Sequence, residues 1–137
     1  MNLLQKIKSA FILTTLLSCG SKDPKAGLDQ DLAIGIVADC QYCHCESTSS
    51  RFYKNSPGKL QNAVDSLNNA PLDYAIHLGD FIDRDFSSFD TVGPIWNKLK
   101  TKKYQVLGNH DFSVADSLKP LVPHKMNLKQ RYYSFVE

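Results

Sequence analysis

Tyr74 to Asp83 reads YAIHLGDFID. A short uncharged run suited to a strand gives way to a glycine, and the glycine to two aspartates three residues apart. Two other stretches also run from strand-suited residues into polar ones. Leu32 to Gln41 reads LAIGIVADCQ, and Tyr104 to Asp111 reads YQVLGNHD. Each run is continuously apolar rather than alternating, which suits strands buried on both faces, as in a parallel sheet. Each is followed by a residue with a metal-binding oxygen: Asp39, Asp80 or Asn109.

Helical patterns separate the three runs. Leu60, Ala63, Val64 and Leu67 repeat at i, i+3, i+4 and i+7, with Ser56 as the expected N-cap and Pro57 at the first helical position. Asn68, Asn69 and Pro71 mark the end of that helix. Val92, Ile95, Trp96 and Leu99 repeat the spacing, and Lys98, Lys100, Lys102 and Lys103 suit a helix C-terminus. Gly93-Pro94 is expected to delay the second helix's first turn. The order strand, helix, strand, helix, strand predicts an α/β fold of parallel strands joined by right-handed crossovers. Beyond it, residues 112–127 read as loop and irregular helix around Pro120 and Pro123, and Arg131 to Val136, RYYSFV, predicts a further strand.

The 137-residue chain is the size of about one domain and has an ordinary soluble composition. Its N-terminus differs from the rest. Lys6 and Lys8 precede the uncharged AFILTTLL (Ala10 to Leu17), which has secretory h-region length and is too short to span a bilayer. Leu16-Leu17-Ser18-Cys19-Gly20 resembles a bacterial lipobox. Residues 1–18 are therefore expected to be a lipoprotein signal peptide, Cys19 the lipidated residue, and 19–31 a polar tether. A signal peptide without lipidation, or a retained N-terminal helix, are the alternatives. Exported and anchored in this way, the protein would face the periplasm or cell exterior. Without Lys6 and Lys8 its basic and acidic residues balance, so charge offers no case for nucleic acid as a partner.

Cys40, Cys43 and Cys45 crowd around His44. Such a cluster could bind zinc, but a structural site needs a second ligand pair, and none is visible. In an exported protein two of the three could instead pair as a disulfide, leaving one thiol.

The chemistry is concentrated at the strand ends. Ligands of open α/β sheets bind beyond the carboxyl ends of the strands, so parallel pairing brings Asp39, Asp80 and Asn109 to one rim. Oxygen donors suit hard or borderline divalent cations such as Mn²⁺, and one carboxylate can bridge two ions. A single Asp at a strand end is more often a cap or turn residue; here three strand ends share one logic. His77 reads as a core residue and His44 as a loop residue. Tyr132, Tyr133 and Phe135 read as strand packing, and His124 has no motif around it.

With these residues in place, G-D-F-I-D (Gly79 to Asp83), G-N-H-D (Gly108 to Asp111) and the Asp39-led first motif resemble the calcineurin-like metallophosphoesterase superfamily. The family's first motif is usually D-x-H, and here it is Asp39-Cys40-Gln41. That departure, with RFYKNSPGKLQNAVDSLN from Arg51 to Asn68, resembles the manganese-dependent ADP-ribose/CDP-alcohol diphosphatase branch.

The resemblance implies two divalent ions, manganese first, with iron or zinc as alternatives. Asp39 and Gln41 would bind one ion, Asn109 the other, and Asp80 both. His110 would stabilise charge or protonate the leaving group, and Asp111 would orient it. Asp83 would hold the ligand geometry from behind. Arg51 and Tyr53 would contact a small nucleotide-type phosphoester. A phosphomonoesterase or cyclic nucleotide phosphodiesterase of the same superfamily is the alternative within that chemistry, and a non-catalytic lipoprotein module is the alternative outside it. Family members also use an isolated histidine and a G-H-x-H pair after the third motif. This sequence has His124 there and no G-H-x-H. Residues 32–137 are thus expected to form a partial domain, the N-terminal βαβαβ half of an α/β/β/α sandwich, truncated or incomplete. Its sheet would be uncovered on one face, and it would bind metal weakly and turn over little.

Overall fold

The computed structural model describes residues 31–136. The expected signal peptide, Cys19 and all of the tether but Asp31 lie outside the described residues. Three strands, β1 (Ile34–Val37), β2 (Tyr74–His77) and β3 (Lys102–Gln105), form one sheet in the order β1-β2-β3. Both pairings are parallel, with Ile34 opposite Tyr74 and Tyr74 opposite Lys102. Helix α1 (Ser56–Asn68) crosses from β1 to β2, and α2 (Phe89–Trp96) crosses from β2 to β3. The expected βαβαβ unit is present.

Side chains alternate across the strands, so the sheet has two unlike faces. Gly35, Ala75, His77 and Gln105 are buried on the helix side. Gly35 sits where α1 comes closest: a Cβ there would lie 2.6 Å from Leu67 Cδ2. The core includes Leu60 and Val64 from α1, Val92 and Trp96 from α2, and Phe81, Ile82, Val122 and Met126 from the loops and the short helix α3 (Val122–Lys125). The opposite face is largely open, with Ile36 63% exposed and Ile34 and Leu78 exposed beside it.

Several boundaries differ from expectation. β3 starts two residues early, at Lys102, because its pairing with Tyr74 sets the register; lysine stems are tolerated on an edge strand. Helix α1 begins at Ser56, with Asn55 as N-cap and a 3-10 turn (Tyr53–Asn55) before it. Helix α2 starts ahead of Gly93-Pro94 and contains Pro94. Its entry is built by Asp85, whose carboxylate accepts from Ser87 N (3.1 Å) and Ser88 Oγ (2.8 Å).

The strand expected at Arg131–Val136 does not form. The segment lies against β3 through side chains instead of a ladder. Tyr133 Oη donates to Gln105 O (2.7 Å) and accepts from Gln105 N (3.1 Å), occupying the backbone groups that a neighbouring strand would use. The Phe135 ring stacks on Tyr104, with centroids 3.7 Å apart. Aromatic content alone made the segment resemble a strand.

Candidate functional site

The strands leave the ladder in register at Val37, His77 and Gln105, and the three motif loops start from that level. The loops continue to pair beyond the strands. Asp39 N donates to Gly79 O (3.2 Å), Gln41 N to Asp80 O (2.8 Å) and Asp83 N to Tyr42 O (2.8 Å). Asp39, Asp80 and Asn109 therefore succeed one another across the rim in the order of the strands.

The backbone here is unusual. Of the five described non-glycine residues with positive φ, four lie in these loops: Asp39 (54°), Gln41 (44°), Asp80 (56°) and Arg84 (59°). Left-handed backbone is uncommon outside glycine and concentrates at sites where the surroundings impose it. Gly79 has φ 95°, and a Cβ on it would lie 2.6 Å from Gly108 N. A Cβ on Gly108 would run into the Asp80 carboxylate. The glycines let two loops touch.

The side chains divide into two layers. At the rim, Gln41 Nε2 lies 3.4 Å from Asp39 Oδ1, and Asp80 Oδ1 accepts from His110 N at 2.9 Å. Beneath them, Asp111 is fully buried and accepts from the backbone N–H groups of Asp80 (3.0 Å), Ile82 (3.1 Å) and Gly108 (2.9 Å). Burial pushes its carboxyl up to about 6, against those three hydrogen bonds, and the nearby charge of Asp80 adds to the rise. Asp111 thus joins the second and third loops through their backbones.

That placement corrects the expected roles of two aspartates. Asp83, not Asp111, holds His110: Asp83 Oδ1 and His110 Nδ1 are 2.8 Å apart. The 3-10 turn His110–Phe112 points Asp111 into the core, where its oxygens are taken by amides. Asp83 is buried, which works to raise its carboxyl pKa. Hydrogen bonds from His110, Tyr53 and Arg84 outweigh that and leave it below the usual range. An ionised Asp83 only accepts, so Nδ1 of His110 carries the proton of that bond and Nε2 remains for other chemistry.

Arg51 and Tyr53 both reach this region, with different surroundings. Tyr53 is 4% exposed, and its hydroxyl is engaged by Arg84 Nη2 at 3.0 Å and by Asp83. It braces Asp83, and it also lines the cavity beside Asp39 and Gln41. Arg51 is half exposed, 4.0 Å from Asp83 Oδ2. With Lys59 and Ser50 it lines a cavity of about 170 Å³ beside Asp39 and Gln41. Arg84, 3.1 Å from Asp83 Oδ2, was missed by sequence reasoning. Its position directly after Asp83 was the available signal.

In the cysteine-rich loop, Cys43 and Cys45 are disulfide-bonded and Cys40 is the free thiol, pushed up to about 12 by burial. His44 is exposed, and His77 is fully buried in the core. Among the described residues, no three His, Cys, Asp or Glu side chains group as a metal site. The donors present are two carboxylates and two carboxamides: Asp39, Asp80, Gln41 and Asn109. Their oxygens fit a hard divalent cation in kind, and they are too few to fill the coordination of two ions.

A parallel α/β sheet thus presents oxygen donors and an Asp-held histidine at one rim. A family profile described as calcineurin-like phosphoesterase matches residues 32–137, and the chain belongs to that family. It is 30% identical over 116 residues to a manganese-dependent ADP-ribose/CDP-alcohol diphosphatase of Danio rerio, covering 75% of this chain and 36% of that protein. Among solved structures it resembles a dimetal phosphatase from Danio rerio, with TM-score 0.58 and 27% identity, covering 70% of this chain and 34% of that one. The chain thus spans about a third of the length of these relatives. That share fits the expectation that residues 32–137 correspond to the N-terminal part of the family fold.

Proposed function

We propose that this chain carries part of the active site of a manganese-dependent hydrolase that cleaves the diphosphate of ADP-ribose or CDP-alcohol type substrates. The observation that carries the reading is the rim itself, where Asp39 with Gln41, Asp80, and Asn109 with His110 follow one another on three in-register strands. Gln41 in the first motif and the similarity to the diphosphatase favour a diphosphate over a phosphomonoester.

Bound divalent ions would supply Lewis-acid polarisation of the phosphate and a water of lowered pKa. Asp39, Gln41, Asp80 and Asn109 would hold them. In its imidazolium form His110 would hold one proton on Nδ1 towards Asp83 and donate the other, on Nε2, to the departing oxygen. Arg51 adds positive charge beside the Asp39 end, where an anionic substrate would lie.

The test is nucleotide release from ADP-ribose, CDP-choline and p-nitrophenyl phosphate with Mn²⁺. The reading expects slow turnover, because the donor set is short, with the two diphosphates ahead of p-nitrophenyl phosphate. Preference for the monoester would replace this reading with that of a phosphomonoesterase.

We further propose export and anchoring through Cys19. Lys6, Lys8, the AFILTTLL stretch and Leu16 to Gly20 support it. Fractionation of cells expressing the chain, with and without Cys19→Ala, checks this. Membrane association unaffected by the substitution would count against the anchor.

A further inference from the structure

The end of the sheet opposite the motif loops is basic. Lys98, Lys100, Lys102 and Lys103 stand within six residues, and no acidic residue occurs from Thr91 to His110. Lys98, Lys100 and Lys102 are exposed. Lys98 Nζ donates to Gln61 Oε1 (2.6 Å), and Lys103 Nζ donates to the carbonyl oxygens of Asn97 (3.2 Å) and Leu99 (3.3 Å). These acceptors are neutral, so they hold the two ammonium groups without cancelling their charge.

Strand register fixes where the lysines lie. Lys102 is level with Tyr74, and Tyr74 with Ile34, so the lysines flank the edge at which β1 also begins. Two strand spacings separate β3 from β1, roughly 10 Å. Asp39, Asp80 and Asn109 lie beyond the other ends of the same strands. Just ahead of β1, Leu32 is 55% exposed, and Ala33 N donates to Asp73 Oδ2 at 2.8 Å. A chain lipidated at Cys19 is therefore tied to the bilayer at this edge, by a segment (residues 19–30) that reaches at most about 40 Å when extended.

The charges suit an anionic surface. Asp31 and Asp73 lie beside β1 and β2, and Asp65 is on α1, with Gln61 between it and Lys98. The tether is balanced, Lys22 and Lys25 against Asp23 and Asp29, so the attraction comes from the lysines beside β3. Residues 97–103 hold no arginine and no aromatic ring, the groups that stack on nucleic acid. Lysine is a flexible point charge, suited to lipid headgroup phosphates.

Resting on the proposed Cys19 anchor, we infer that the lysine-lined edge is a docking surface for an anionic lipid bilayer. The domain then sits with the N-terminal ends of its strands against the headgroups, and the Asp39–Asp80–Asn109 rim faces away, open to a soluble substrate.

Flotation of the full chain with vesicles of phosphatidylcholine, with and without phosphatidylglycerol, tests this without requiring lipidation. Binding should be stronger with phosphatidylglycerol and weaken as salt screens the surface. Lys98→Gln combined with Lys100→Gln should lower that binding about 10- to 30-fold, and the corresponding pair of arginine substitutions should retain it. The N-terminal residues are common to all variants, so the difference reads the lysines. Lys54→Gln with Lys119→Gln removes the same charge from lysines paired with Glu46 and Asp116, and should change little. Equal binding to both vesicle types, or an equal loss in the two glutamine pairs, overturns the docking surface and leaves the Cys19 anchor to its own fractionation test. Acetylation footprinting on phosphatidylglycerol vesicles gives the orientation: Lys98 and Lys100 should be protected and Lys54 and Lys119 should react. The reverse pattern overturns the inference.

Discussion

Asp83 Oδ1 lies 2.8 Å from His110 Nδ1, and the same carboxylate receives Arg84 Nη2 at 3.1 Å. A buried carboxylate with several donors holds them as a unit, so Asp83→Asn should be costly. The amide cannot satisfy His110, Tyr53 and Arg84 together. A loss of about 1–3 kcal/mol in denaturant unfolding is expected. Any hydrolysis should fall about 10- to 100-fold, as when outer partners of metal sites are removed. Unchanged stability would show that the contact is incidental.

His77 gives a pH prediction. Gly79 N donates to its Nδ1 (3.2 Å), its ring stacks on Phe81, and burial pushes its pKa down to about 3. The folded pKa is depressed, so below about 6.5 the unfolded chain takes up a proton that the folded chain refuses. Stability from this group is present above about pH 6.5 and is lost as pH falls towards 3, with a limiting slope of about 1.4 kcal/mol per pH unit. The stability of the wild type relative to His77→Phe should fall on acidification from pH 7 to pH 4.5 in urea titrations. A constant difference would contradict the assignment.

Gly79 and Gly108 should resist substitution for separate reasons. Gly79→Ala meets both positive φ and the backbone of Gly108, and is expected to cost about 1–3 kcal/mol by thermal unfolding. Gly108→Ala displaces the Asp80 carboxylate, so its larger effect should fall on Mn²⁺ affinity. Wild-type metal binding in Gly108→Ala would mean that Asp80 is not a ligand.

The open sheet face should govern association. Ile36 is 63% exposed, next to exposed Ile34 and Leu78. Contiguous apolar surface promotes self-association, so Ile36→Lys should keep the protein monomeric to higher concentration by light scattering, with stability within about 0.5 kcal/mol of wild type. Identical concentration dependence would show that the face is not sticky.

Much of the fold was legible because three apolar runs each stop at a polar ligand type, a pattern that a parallel sheet imposes. The start of β3 was not, because Lys102 and Lys103 are admitted by strand register rather than by hydrophobicity. RYYSFV has a strand's composition, but a strand exists only where a backbone partner does, and Tyr133 Oη fills that place. The exchange of roles between Asp83 and Asp111 was equally hidden. Asp111 directly follows His110 and Asp83 closes the preceding motif, and spacing does not say which carboxylate faces amides and which faces the imidazole. Arg84 was overlooked although it adjoins Asp83, because its left-handed backbone and its contact with Tyr53, 31 residues away, exist only in the fold.

The central claim is that the Asp39–Asp80–Asn109 rim holds divalent metal, and Mn²⁺ titration of the full chain by calorimetry or electron paramagnetic resonance tests it most directly. The account predicts weak, saturable binding that is abolished by Asp80→Asn and reduced by Asp39→Asn. No binding at millimolar Mn²⁺, or binding indifferent to Asp80→Asn, would contradict it.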